Sequence, residues 1–209
     1  MKRRNQDNNS VVIWISLILV ALFAIIFVNI YLQKQQLINE KPVNEHFYNN
    51  FRFYNISNQW FTNIQIPGKN TTHSLEMRLS PFDVENISFD ESVLPLIVNA
   101  KQIYLTVSPN LTGKSIIAMI EVGRLTGEVY NFYNIPTNAA LTYSKDGQEE
   151  VPIITCKNST SGTVVLHFLI GNSDKVSLND VCILIQGTSE DRLIASADRL
   201  TYGLAGIMR

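Results

Sequence analysis

The stretch Ile103–Gly127, IYLTVSPNLTGKSIIAMIEVGRLTG, sets the fold class. Ile103–Val107 is a short apolar run of the kind that forms a buried strand. Pro109-Asn110 turns the chain. Thr112 or Ser108 can then cap a helix over Gly113–Thr126, where Ile116, Met119, Ile120 and Gly123 recur at helical spacing and mark a core face. Gly127 ends that helix. A strand feeding directly into an amphipathic helix predicts helices layered on a sheet, an α+β or α/β domain.

Toward the C-terminus, Val129–Tyr133 and Ala139–Tyr143 read as strands on either side of Pro136. Lys145-Asp146-Gly147-Gln148 is a hairpin signal, with Val151–Cys156 as the returning strand. Thr163–Ile170 (TVVLHFLI) is continuous and β-branched, which predicts a strand buried on both faces. Gly171–Asp180 is a polar turn, and Val181–Gln186 (VCILIQ) a second buried strand. A helix over Ser189–Met208, capped by Thr188, carries Leu193, Ala197, Leu200, Leu204 and Ile207 as one stripe facing the sheet. The expectation is a mixed sheet with at least two packed helices over residues 101–209.

Toward the N-terminus, residues 46–100 form a β-rich segment dense in Asn and aromatic residues. Alternation over Asn50–Ile56 predicts a strand. Ile66–Asn70 is a turn and His73–Leu79 a half-buried strand. Phe82–Glu91 is a loop, and Ser92–Ala100 a short helix interrupted at Pro95. Residues 33–45 are polar and serve as a stalk.

Ahead of the stalk lies Val11–Leu32, VVIWISLILVALFAIIFVNIYL, interrupted only by Ser16 and Asn29 and free of charge. As a helix it is roughly 33 Å long, about the thickness of a bilayer's hydrocarbon core. A cleaved signal peptide has a shorter apolar run and a small-residue cleavage site. Here the run ends in Phe27-Val28-Asn29-Ile30-Tyr31-Leu32, so it reads as an uncleaved anchor. A prepilin would need an acid near the start of the helix and a Gly before Val11. Lys2, Arg3 and Arg4 precede the helix, which keeps residues 1–10 in the cytoplasm and places residues 33–209 outside.

Two features suit an exported domain. Cys156 and Cys182, the two cysteines, form a disulfide most simply, with free thiols as the alternative. Asn55, Asn70, Asn86, Asn110 and Asn158 each open an Asn-x-Ser/Thr triplet beyond the anchor and are candidate glycan acceptors. Some of these arise by chance in an Asn-rich chain. As a set they favour a glycosylated archaeal or eukaryotic cell surface.

Chemistry is sparse. A net charge of −1 gives no footprint for nucleic acid. His46, His73 and His167 lack metal-ligand spacing. Ser108–Ser115 approaches a phosphate-binding loop, yet its first position is Ser108, Pro109 has no N–H, and no acid is placed for Mg²⁺. The paired acids Asp90-Glu91, Glu149-Glu150 and Glu190-Asp191 are adjacent and do not converge on one substrate. Cys156 with His167 could act as a nucleophile and base only if the cysteines were unpaired. No catalytic, cofactor or metal residues are expected, and the chain is not read as an enzyme.

The run LSPFDVENIS at Leu79–Ser88, the stretch Ile103–Gly127, the block from Cys156 through Cys182 to Gly187, and ADRLTYGLAGIM at Ala197–Met208 together resemble a family of uncharacterised archaeal membrane-anchored proteins. That resemblance implies a cell-surface setting and carries over no activity and no site residues. The functional expectation is a membrane-anchored surface or envelope module that binds a protein partner. The alternatives are an accessory subunit of a surface filament or secretion machine, and an extracytoplasmic enzyme or ligand-binding domain.

Overall fold

The computed structural model describes residues 28–29, 44–66, 68–145 and 150–209. The expected anchor, apart from Val28 and Asn29, lies outside them, as do nearly all of the stalk and Asp146–Gln148 of the expected hairpin turn. Among the described residues no helix is long and apolar enough to cross a membrane. Residues 44–209 form a compact unit of their own, described below.

Among its described residues the unit is α+β, with two sheets and four α-helices. Strands β1 (Asn44–Tyr48), β2 (Phe51–Ile56), β3 (Gln59–Gln65) and β4 (Thr72–Met77) form an antiparallel meander. Its first two turns are Asn49-Asn50 and Ser57-Asn58, all four residues at positive φ between 44° and 67°. Two central residues of positive φ suit a two-residue hairpin that follows the strand twist, and Asn tolerates that conformation best after Gly. Much of the Asn in this segment is therefore turn chemistry. Alternation puts Phe53, Thr62, Ile64, Leu75 and Met77 on one buried face.

The second sheet has the order β5-β9-β10-β8-β6-β7. Its strands are β5 (Ser88–Phe89), β6 (Gln102–Val107), β7 (Thr137–Leu141), β8 (Thr163–Ile170), β9 (Lys175–Asn179) and β10 (Cys182–Gly187). β7, β6, β8 and β10 run parallel, and β9 antiparallel to β10. Two short helices, α1 (Pro81–Val84) and α2 (Val93–Val98), precede β6. Helices α3 (Gly113–Thr126) and α4 (Glu190–Leu204) follow β6 and β10. Ile103, Leu105, Val164, Leu166, Phe168, Ile183 and Ile185 face this helix pair in one core.

The four-stranded sheet covers the other side of the helices. The Phe53 and Tyr202 rings meet edge-on at 5.8 Å, and the Tyr202 hydroxyl donates to Leu79 O at 2.6 Å. α4 is thus buried from Leu193 through Leu204 without a break. The sequence suggests a single stripe because Asp198 and Arg199 look like a solvated face; a second covering layer turns that face inward.

Several local expectations are corrected. Val129–Tyr133 is irregular, because Phe132 and Ile135 are drawn into the core and the Tyr133 hydroxyl donates to Leu204 O. Val151–Cys156 forms only a single parallel bridge, Ile153 with Leu141. The supposed polar turn after Gly171 contains β9, whose Val176 and Leu178 alternate with polar neighbours. The supposed loop after Ser80 holds α1, capped by reciprocal Ser80–Asp83 bonds. The cap of α4 is Ser189, whose hydroxyl accepts from Arg192 N, while Thr188 bonds Asp174.

Candidate functional site

An open, largely apolar groove lies between α3 and β7. α3 begins where the sequence places it, and its core face, Ala118, Met119, Val122 and Leu125, is buried. Ile116 and Ile120, one turn apart, are instead 45 % and 47 % exposed, and Val129 beyond the helix is 71 % exposed. These side chains, with Pro136, Thr137 and Ala139 opposite, line a groove of about 570 Å³, and among the described residues Glu128 is its only charged lining residue. Its floor is Leu105 and Gly123, where an added Cβ would meet Leu105 Cδ1 at 3.1 Å.

The groove runs along a sheet edge. Pro136 O accepts from Ile103 N and Thr142 N donates to Val107 O, so even-numbered residues of β7 turn their backbone toward β6. Thr137, Ala139 and Leu141 turn theirs outward. Leu141 is used: its N–H donates to Pro152 O and its carbonyl accepts from Ile154 N. No backbone partner is found for Thr137 or Ala139 among the described residues. An unpaired edge beside an apolar trough is a template for another strand.

The near-phosphate loop is accounted for by the chain itself. Glu190 accepts from Thr112 N at 3.0 Å, Thr112 Oγ1 at 2.7 Å and Ser115 N at 3.2 Å. Lys114 pairs with Asp191 at 2.7 Å. Partial burial works against the Glu190 charge, but bonds from Thr112 and Ser115, with Lys114 nearby, hold its carboxyl below the usual range. The anion position at the start of α3 is therefore filled by a side chain. Glu190→Ala is expected to lower stability by about 1–2 kcal/mol, as loss of a good cap does, and to make the melting temperature newly sensitive to sulfate. Thermal melts with and without sulfate check this.

Cys156 and Cys182 form a disulfide. It pins a 3₁₀ turn, Cys156–Asn158, against the face of the six-stranded sheet remote from the helices. Ser159 adds a second tie, accepting from Val165 N and donating to Val181 O, and Thr106 Oγ1 a third, donating to Ile154 O. This segment explains why β8 is covered in part on its second face. His167 Nδ1 lies 3.9 Å from Cys156 Sγ, and burial pushes its imidazole down, toward the neutral form. With the sulfur in a disulfide, the pair has no thiol to activate.

Asn70, Asn86, Asn110 and Asn158 are exposed; Asn55 is half-buried, on the same face of β2 as Phe53. Asn158 Oδ1 accepts from Thr155 N, capping the 3₁₀ turn. His46 stacks near Trp60 and His73 near Tyr130. Among the described residues no group of His, Cys, Asp and Glu could hold a metal.

Comparison of the chain with protein families, characterised proteins and solved structures finds no match.

One arrangement had no sequence signal. Glu121 of α3 and Asp198 of α4 meet beneath β4, 5 % and 0 % exposed. Each sits inside an amphipathic helix at a position that reads as solvated, and only the tertiary fold joins them.

Proposed function

We propose that residues 44–209 are the extracytoplasmic binding module of a single-pass membrane protein anchored by Val11–Leu32. The module takes up an extended, uncharged strand of another envelope protein along the β7 edge. The groove carries this reading: it combines outward-facing backbone groups at Thr137 and Ala139 with the exposed apolar residues Ile116, Ile120 and Val129. Backbone pairing supplies affinity in such recognition, and the apolar trough takes alternate side chains of the guest. The pairing of Ile153 with Leu141 supports the choice of guest, since the same edge already accepts one extended segment. The disulfide supports an oxidising compartment.

The test places a photo-crosslinking residue at Ile116 of the full chain in native membranes. A discrete crosslinked protein is expected, lost on Ile120→Arg, which puts a charge into the trough while leaving the core untouched. The same product in wild type and Ile120→Arg, or no product in wild type, would sink the proposal.

A further inference from the structure

The buried acids Glu121 and Asp198 are half satisfied by visible donors. Glu121 Oε1 pairs with Arg78 Nε at 3.0 Å, and Asp198 Oδ2 accepts from Leu79 N at 2.9 Å. The remaining oxygens, Glu121 Oε2 and Asp198 Oδ1, are fully buried with no donor. The two acids are gripped by consecutive residues, Glu121 by Arg78 and Asp198 by Leu79, which sets them side by side. Two ionised carboxylates cannot bond, because neither has a hydrogen to give, and leaving both orphan oxygens dry is costly. A proton on Asp198 Oδ1, donated to Glu121 Oε2, satisfies both atoms at once.

The surroundings assign the remaining charge. From β4 and the residue after it, Glu76 and Arg78 face the pair; from α3, Arg124, which reaches Glu76 at 3.8 Å. From α4, Tyr202 lies beside Asp198, with Asp83 of α1 beyond it. Arg78 touches Glu121, whereas no cation among the described residues is in ion-pair contact with Asp198. Glu121 thus keeps the negative charge and Asp198 the proton. Burial raises both carboxyls, and for Asp198 the Glu121 bond and charge raise it further.

We propose that Glu121 and Asp198 hold one shared proton at neutral pH, and that this proton latches β4 to the two helices, so that seating of the four-stranded sheet depends on it. Loss of the proton leaves two negative carboxylates in contact under β4. A cavity of about 80 Å³, lined by Gln59, Glu76, Arg78, Glu121 and Arg124 among others, lies on the Glu121 side of the pair and does not include Asp198. The sign follows from the raised folded-state affinity. Between the ordinary carboxyl range and the raised folded value, the folded state holds more protons than the unfolded one. The stabilisation is full at the acid end of that window and is lost as pH rises through the folded value. The latch opens on the alkaline side.

Hydrogen exchange on the full chain in detergent, corrected for the intrinsic pH dependence, tests this. Amides of β3 and β4 should lose more than tenfold protection between pH 6 and pH 9, while β8 and β10 hold. Asp198→Asn should abolish that loss, because its amide donates to Glu121 at every pH. Unchanged β4 protection in wild type, or equal loss in Asp198→Asn, overturns the proposal. Should that variant not fold, the ¹³C shift of the wild-type Asp198 carboxyl decides: protonated at pH 7 supports the shared proton, ionised overturns it.

Discussion

Gly187→Ala is expected to prevent residues 44–209 from folding rather than merely weaken them. The residue ends β10 where the chain crosses the start of α4. A Cβ there would run into Leu193 N and lie 2.6 Å from both Arg192 C and Leu193 Cα. All three atoms are backbone, so no rotamer change relieves the contact. The strand and helix would have to part, uncovering Ile183, Ile185, Leu193 and Ala197, each 0 % exposed. Ordinary overpacking costs about 1–3 kcal/mol because side chains adjust; backbone obstruction exceeds that and approaches the whole ~5–15 kcal/mol of a typical domain. Soluble yield and near-ultraviolet circular dichroism read the outcome. Gly113→Ala is the matched control, since nothing lies within 4 Å of its added carbon. It sits in the first turn of α3 and should be neutral or slightly stabilising. A folded Gly187→Ala protein with wild-type stability would refute the close approach.

Removing the disulfide has the second-largest expected effect. Cys156 and Cys182 are 26 residues apart, and opening that loop should cost about 3.5 kcal/mol by the chain-entropy relation. For a domain of this size that is a fall of about 10 °C in melting temperature. The loss should be local in its first effect. Without the bridge, the segment around Lys157 is tied to the sheet mainly by the Ser159 and Thr106 bonds. The exposed Lys157 should then become an early trypsin site in the Cys156→Ser/Cys182→Ser protein. Wild type cleaved there at the same rate under oxidising conditions would show that the bridge does not hold the segment down.

How far the sequence reveals the fold depends on whether each element is locally determined. The bounds of α3 are legible because Thr112 and Gly127 flank it directly, whereas its buried face is only partly so, since Ile116 and Ile120 share the helical spacing but lie exposed. β6, β8 and β10 are legible because mostly buried strands show as nearly continuous apolar runs, although β8 is only partly covered on its second face. The Asn49-Asn50 and Ser57-Asn58 hairpins carry a signal that is easy to overlook, since Asn stands where Gly is the commoner mark. β9 shows the right alternation in KVSLN, but its length is that of a turn. Phe132 and Tyr133 mislead in the other direction: their aromatic run suits a strand, and contacts far away in the chain hold them as an irregular plug. The groove lies partly in view, because Ile116 and Ile120 are visible but their exposure is not. The acid pair cannot be found from sequence, since it depends on how two distant helices cross.

α4 also dictates when the molecule can become complete. Every strand of both sheets precedes it in the chain. A polypeptide emerging with its N-terminus first would expose Phe53 and Ile64 on one half-built layer and Ile183 and Ile185 on the other. Neither surface is closed until Leu193–Leu204 arrives between them. Arrival of that one helix seals both layers together, so assembly should show a single late step with few stable predecessors. For a polypeptide threaded through a narrow translocation channel, this order keeps the earlier segments loose while they pass and delays commitment until the keystone is through.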